Sequence, residues 1–184
     1  ILGKMMLIGM NFGHAKLSEW GLSLLTMREG AHILDVGCGG GANIAKMLKN
    51  VQGSIVDGLD FSAESVAYSK KTNAAFLGKR RTIHQGDVAA LPYSDRTLDY
   101  VTAFETVYFW PDLGAGFREI RRVLKPGGLL LICCEADDPT WSDRIDGMTI
   151  HRGEDLQEHL LREGYQKVEL YRHEKGWICL TAVC

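Results

Sequence analysis

An apolar run that breaks into glycines constrains this chain more than any other feature. In ILDVGCGGGANI, Ile33 to Ile44, a strand-like segment ends at Gly37. Gly39, Gly40 and Gly41 follow before a helical period starts at Ala42. Glycine has no side chain to hold a bound group away, so such a strand–loop–helix unit lets backbone pass close to a ligand. A dinucleotide, a nucleoside triphosphate and something smaller are the classes open at this point.

The rest of the chain repeats the alternation. HILDV (His32 to Val36) is the first strand, and ANIAKMLKN (Ala42 to Asn50) sets Ile44, Met47 and Leu48 on one helical face. SIVDGLD (Ser54 to Asp60) reads as a second strand, after which Ser62 can N-cap a helix running from Ala63 toward Phe76. TIHQGD supplies a brief third strand and LDYVTAF (Leu98 to Phe104) a fourth. Asp112 can cap a helix whose apolar stripe is Leu113, Phe117, Ile120 and Leu124. KPGG (Lys125 to Gly128) is expected to stop that helix and turn the chain into a fifth strand, LLLICCE. A helix in EDLQEHLLREG, with Gly164 as its C-cap, precedes QKVELYRHE and GWICLTAVC. Those last two strands must pair antiparallel, because a parallel crossover needs roughly a dozen residues. The fold class is therefore α/β: a doubly wound, seven-stranded sheet, mostly parallel with an antiparallel last strand and helices on both faces.

A chain of 184 residues is expected to make one domain. Its parts are an N-terminal cover (1–25), a cofactor-binding core (26–135) and a C-terminal part (136–184) with a substrate-side loop and the last two strands. The formal net charge of −2 gives no field toward nucleic acid or an anionic membrane. The apolar start ILGKMMLIGMNFG is interrupted by Lys4 and lacks a cleavage site, so neither a signal peptide nor a membrane span is expected. The five cysteines include no C-x-x-C pair. They are expected as reduced thiols of a cytoplasmic protein, Cys133 and Cys134 pointing to opposite faces of one strand.

Gly37, Gly39 and Ala42 satisfy the dinucleotide fingerprint, with Asp60 at the expected distance onward. Alone, that pattern fits a dehydrogenase, a flavoprotein or a nucleoside-binding enzyme. Three features discriminate. Asp35 lies two residues before Gly37, where a carboxylate would repel a pyrophosphate but suit an ammonium or sulfonium. No P-loop Lys–Ser/Thr follows the glycines. No second domain is expected to carry a dehydrogenase substrate.

With LDVGCGGG, GLDFS, GDVAALPYSDRTLDYV and RVLKPGGLLLI in this order, the chain resembles the class I S-adenosylmethionine-dependent methyltransferases. The resemblance is to their small-molecule branch, typified by ubiquinone and menaquinone biosynthesis enzymes. It implies a Rossmann-like fold, S-adenosyl-L-methionine as cofactor with S-adenosyl-L-homocysteine as product, and a small-molecule methyl acceptor. By that likeness, Gly37, Cys38 and Gly39 would let backbone approach the methionine portion, with Asp35 supporting its positive end. Asp60 would accept the ribose hydroxyls and Phe61 would lie along the adenine. Asp87 would accept from the adenine amine while the Val88 N–H donates to the ring, and Phe104 and Glu105 would border the methyl donor.

Plainer roles stand beside these. Asp60 could cap the following helix, Asp87 could be a turn acid, Phe61 could be core, and Asp35 could tie its loop to neighbouring backbone. Candidate general bases are His14, Glu105, Tyr108 and His151. No N/D-P-P-Y motif follows the fourth strand, where FETVYFWPD stands, which argues against methylation of nucleic-acid bases. No pair of glutamates of the arginine-methyltransferase kind is found. Asp137 and Asp138 suggest a catechol-type metal site, but its other ligands are not recognisable, so no metal is expected. Pocket walls are left to residues 1–25, 106–112 and 136–152, with Trp20, Tyr108, Phe109, Trp110 and Trp141. The rival readings are a cofactor-binding module without catalysis and a nicotinamide-dependent oxidoreductase.

Overall fold

The computed structural model describes residues 14–76, 79–140 and 147–184. After helix α1 (Ala15–Ser23) come β1 (His32–Val36), α2 (Ala42–Asn50), β2 (Ile55–Asp60), α3 (Ala63–Thr72) and β3 (Ile83–Gln85). Then follow β4 (Leu98–Phe104), α4 (Leu113–Val123), β5 (Leu124–Cys134), α5 (Gly153–Arg162), β6 (Gln166–Arg172) and β7 (Ile178–Val183). One seven-stranded sheet has the order β3-β2-β1-β4-β5-β7-β6. The first five strands pair parallel, and β7 pairs antiparallel with both β5 and β6. This is the doubly wound sheet expected from the alternation, and strand order reverses between β1 and β4.

Strand alternation divides the core. Leu34, Val36, Val101, Leu130 and Ile132 face α4 and α5, with Phe117, Ile120, Leu156 and Leu160 buried against them. Ile33 and Val56 point the other way, onto Ile44, Met47 and Leu48 of α2 and Val66 of α3. Leu131, Cys133 and Cys179 on that second side pack under Leu17 of α1. Caps fall where the sequence puts them: Ser62 Oγ accepts from Ser65 N, and Asp112 Oδ1 from Ala115 N. Among the described residues, no helix is long and apolar enough to cross a membrane.

Two expectations change. KPGG does not form a free turn, because β5 already pairs through Leu124 with Leu98 before resuming at Leu129 opposite Tyr100. The intervening residues form a bulge with Gly127 at φ +77°, held to the chain end by Cys184 N donating to Gly128 O at 2.8 Å. The cysteines also differ. Cys133 and Cys134 do point to opposite faces, but Cys133 lies directly opposite Cys179 on β7 and is joined to it by a disulfide; Cys38, Cys134 and Cys184 are free. Spacing along the chain carries no register across 46 residues, so this pairing was hidden. The bond also removes the ground on which cysteine usage pointed to a reducing compartment.

The described part of the N-terminal cover is a docked helix. Gly21 of α1 sits so close to the sheet that an added Cβ would lie 2.3 Å from Cys133 Sγ and 3.2 Å from a Phe104 ring carbon. Alanine would gain about 1 kcal/mol of helix propensity, but overpacking costs about 1–3 kcal/mol, and here the obstacle is a cross-linked sulfur. Gly21→Ala is therefore expected to lower stability in chemical denaturation, and an unchanged or higher midpoint would contradict this packing.

A second clamp ties the start of β1 to β4 and β5. Asp99 Oδ2 accepts from His32 N at 2.9 Å, while Oδ1 meets Lys125 Nζ at 2.8 Å and Arg28 Nη2. Burial alone would raise this carboxyl, yet His32 N–H, Lys125 and Arg28 outweigh it and hold it down to about 2. A depressed folded value gives stability that is complete above the unfolded value of about 4 and is lost as pH falls toward 2. Between these limits the protein is expected to lose stability faster than the Asp99→Asn variant, as followed by urea unfolding at stepped pH. Parallel slopes for the two proteins would remove Asp99 as the cause.

Candidate active site

At the reversal of strand order, the carboxyl ends of β1, β2 and β4 open onto a cavity of about 470 Å³. That volume falls within the range of small-molecule sites. Its floor is the glycine loop. Gly37, Gly39 and Gly41 adopt φ of +68°, +49° and +78°, conformations that side chains disfavour. Gly37 N and Cys38 N both donate to Leu59 O, at 2.7 and 3.1 Å. Asp60 completes the clamp: Oδ2 accepts from Gly39 N at 2.8 Å and Oδ1 from Ser62 N at 2.9 Å. The loop is thus fixed by the end of β2, and each Asp60 oxygen keeps a further lone pair for a ligand.

Gly37, Cys38, Gly39, Asp60, Phe61, Asp87, Val88, Phe104 and Glu105 all line the cavity. Phe61 is 79% exposed, so it is not core. Asp87 does serve as a turn acid, accepting from Ala89 N at 2.9 Å, while still facing the cavity. Asp35 does not line it. That side chain is buried under the loop, where Thr102 Oγ1 donates to it at 2.7 Å. Burial pushes its carboxyl up to about 7, the Thr102 hydrogen bond opposes this and the charge of Asp60 adds to it. The cavity also gathers His14, Ser18, Asn43, Ser62, Ser65, Thr106, Phe109 and Trp110. No lysine or arginine is among the described lining residues.

Glu105 stands at the β4 end of the cavity in an unusual backbone. It has φ +56° immediately after β4, a region that non-glycine residues enter at a cost and that is concentrated at functional sites. Its Oε1 accepts from Glu135 N and lies 3.2 Å from the Tyr108 hydroxyl. Burial, then the neighbouring Glu135 charge, pushes this carboxyl up to about 7 against those hydrogen bonds. His14 Nδ1 sits 3.7 Å from Glu105 and 3.4 Å from Glu135. Of the other candidate bases, Tyr108 is buried beneath Glu105, with burial raising its phenol, and its oxygen accepts from Ala136 N at 3.0 Å. His151 is not among the lining residues. Asp137 accepts from Gly153 N and pairs with Arg172, and Asp138 closes a turn with Thr140. Trp141 and residues 1–13 lie outside the described residues.

A model described as "Methyltransferase domain" matches residues 34–132 of the chain. The chain belongs to this methyltransferase family, and its sheet order and helix placement give it the family's Rossmann-like fold. Among curated proteins it is similar to the demethylmenaquinone methyltransferase of Shouchella clausii, 36% identical over 63% of this chain and 49% of that protein. It is equally similar to that of Staphylococcus epidermidis, 36% identical over 65% and 48%. The chain spans about half the length of these relatives. Among solved structures, a SAM dependent methyltransferase from Aquifex aeolicus superposes with TM-score 0.77 at 21% identity, over 90% of this chain and 88% of the other. The [4+2]-cyclase SpnF superposes with TM-score 0.75 at 22% identity, over 91% and 80%.

The loop geometry makes one substitution diagnostic. A Cβ on Gly37 would lie 2.1 Å from Thr106 Oγ1 and 2.5 Å from its Cβ, which no rotamer change relieves. Positive φ and overpacking act together, so Gly37→Ala is expected to cost about 1–3 kcal/mol. Urea unfolding measures this directly. A variant as stable as the parent would mean that the loop does not pass beneath Thr106 as described.

Proposed function

We propose that the chain is an S-adenosylmethionine-dependent methyltransferase that transfers a methyl group to a small-molecule acceptor by in-line displacement. The observation that carries this reading is a glycine-floored cavity bearing Asp60, Asp87 and Glu105 and no lysine or arginine among its described lining residues. A pyrophosphate would meet repulsion from these carboxylates, whereas a ligand with ammonium and sulfonium groups is matched by them. Family membership and the demethylmenaquinone methyltransferase relatives support the same cofactor class.

When bound, the cofactor supplies an electrophilic methyl group on a positively charged sulfur. The chain's own residues do the rest by position. The Gly37–Gly39 backbone receives the amino-acid end, Asp60 accepts from the ribose, Phe61 covers one face of the base and Asp87 with Val88 reads its edge. Asp35 acts from beneath, holding β1 to β4 through Thr102 under the loop. Phe104 and Phe109 line the cavity on the Glu105 and Tyr108 side and wall the acceptor end. They exclude water and align a planar ring, and alignment of this kind lowers the barrier by several kcal/mol. Charge is dispersed during the displacement, so an apolar wall hinders it little. A planar, hydroxylated aromatic molecule is the acceptor class that fits these walls and the relatives best.

Calorimetric titration with S-adenosylhomocysteine, S-adenosylmethionine and NAD tests the proposal. The first two are expected to bind and NAD is not. NAD binding without adenosylhomocysteine binding would overturn it. Asp60→Ala is expected to weaken adenosylhomocysteine by about 1.5–3 kcal/mol, roughly 10- to 150-fold. Because Asp60 also holds Gly39 N and Ser62 N, the variant should melt at lower temperature even without ligand. An unchanged dissociation constant would remove Asp60 from the ribose position.

A further inference from the structure

His14 precedes α1, Glu105 follows β4 and Glu135 follows β5, so the chain brings them together from three separate segments. One donor atom from each lies within 4.8 Å of the other two. His14 Nδ1 is 3.4 Å from Glu135 Oε2 and 3.7 Å from Glu105 Oε2. Nitrogen and oxygen ligands each about 2.1 Å from one tetrahedral ion are about 3.4 Å apart, close to the two distances from His14. The His14 Nδ1 atom is buried and makes no hydrogen bond although two carboxylate oxygens lie beside it, and an ion between the three would satisfy it.

The supporting contacts point the same way. Glu105 Oε1 is occupied by Glu135 N–H and the Tyr108 hydroxyl, and Tyr108 is itself fixed by Ala136 N. Oε2 is therefore the oxygen left facing His14. Outer contacts that orient a ligating carboxylate in this manner are a regular part of metal sites.

We propose that His14 Nδ1, Glu105 Oε2 and Glu135 Oε2 hold a divalent cation whose remaining positions face the cavity and take an oxygen of the acceptor. One imidazole and two carboxylates suit Zn²⁺ or Mn²⁺, and three protein ligands with open positions is the catalytic pattern. An acceptor hydroxyl bound there loses its proton to solvent water as the O–H bond breaks, and the electron pair stays on oxygen beside the methyl donor. The ion site itself stands on the geometry alone, and only the identity of the bound oxygen rests on the methyltransferase reading.

The test uses the full chain without a histidine tag, titrated with Mn²⁺ alone and followed by loss of the free-ion electron paramagnetic resonance signal, and with Zn²⁺ alone by calorimetry. One saturable site is expected. His14→Ala and Glu135→Gln should each weaken it at least about tenfold, while Asp138→Asn, an exposed acid outside the cluster, should leave it unchanged. Glu135 is 40% exposed, so Glu135→Gln carries the test should His14→Ala fail to fold. Absence of saturable binding, or equal binding by all variants, would overturn the proposal. Adenosylhomocysteine is titrated separately: its binding without ion binding sinks the ion site alone, and ion binding without it sinks the methyltransferase reading alone.

Discussion

Everything at the cavity depends on how the end of β2 grips the loop after β1. Leu59 O takes two amides, Gly37 N and Cys38 N, and Asp60 takes a third, Gly39 N. The glycines cannot hold their own conformation, since a residue without a side chain has the most freedom to lose on folding. The clamp supplies the constraint from outside, and Thr106 presses on Gly37 from the end of β4. A loop that must stay open to a ligand is thus rigid because two neighbouring strands hold it. Asp60 is thereby a structural residue of the cavity floor as well as part of its lining.

The fold was legible because its signals are local. Val36–Gly37 ends a strand, Ser62 and Asp112 start helices, and the short link before Ile178 allows only an antiparallel return. That Gly37 to Gly39, Asp60, Phe61, Asp87 and Val88 share one cavity was legible for the same reason, since each follows closely on a strand end. What was hidden depends on register and on the packing of distant segments. The Cys133–Cys179 pair needs the alignment of β5 with β7, which neither strand encodes alone. For Asp35, spacing leaves open a supporting role toward the ligand or a purely structural one, and only the β1–β4 register shows its carboxylate on Thr102. The juxtaposition of Glu105 and Glu135 is not encoded locally, because they lie 30 residues apart in sequence and meet only when β4 and β5 pair.

Fold likeness alone does not decide the chemistry here. The same architecture is shared with SAM dependent methyltransferases and with a [4+2]-cyclase at nearly equal likeness, as expected when function resides in a site carried by a common scaffold. The family match narrows the field because it covers the residues that build the loop and the ends of β2 and β4. The cavity's charge narrows it further. Three carboxylates without a lysine or arginine among the described lining residues is a property of this chain's own side chains.

The two ends of the cavity differ in how they are built, and the difference follows from the chemistry each must do. At the glycine-loop end, the Gly37–Gly39 amides are all spent on the end of β2, which fixes the loop and the Asp60 carboxylate in place. At the other end, Glu105 is held at positive φ with one oxygen tied down and the other free, next to an imidazole that makes no hydrogen bond at Nδ1. Strain and an unsatisfied buried atom both cost stability, and neither is needed to close the sheet, since the β4–β5 pairing is complete through Phe104 and Cys133. A fold keeps such costs where a bound group offsets them. The Glu105 end is therefore the part of the cavity where a bound group has the most to offset.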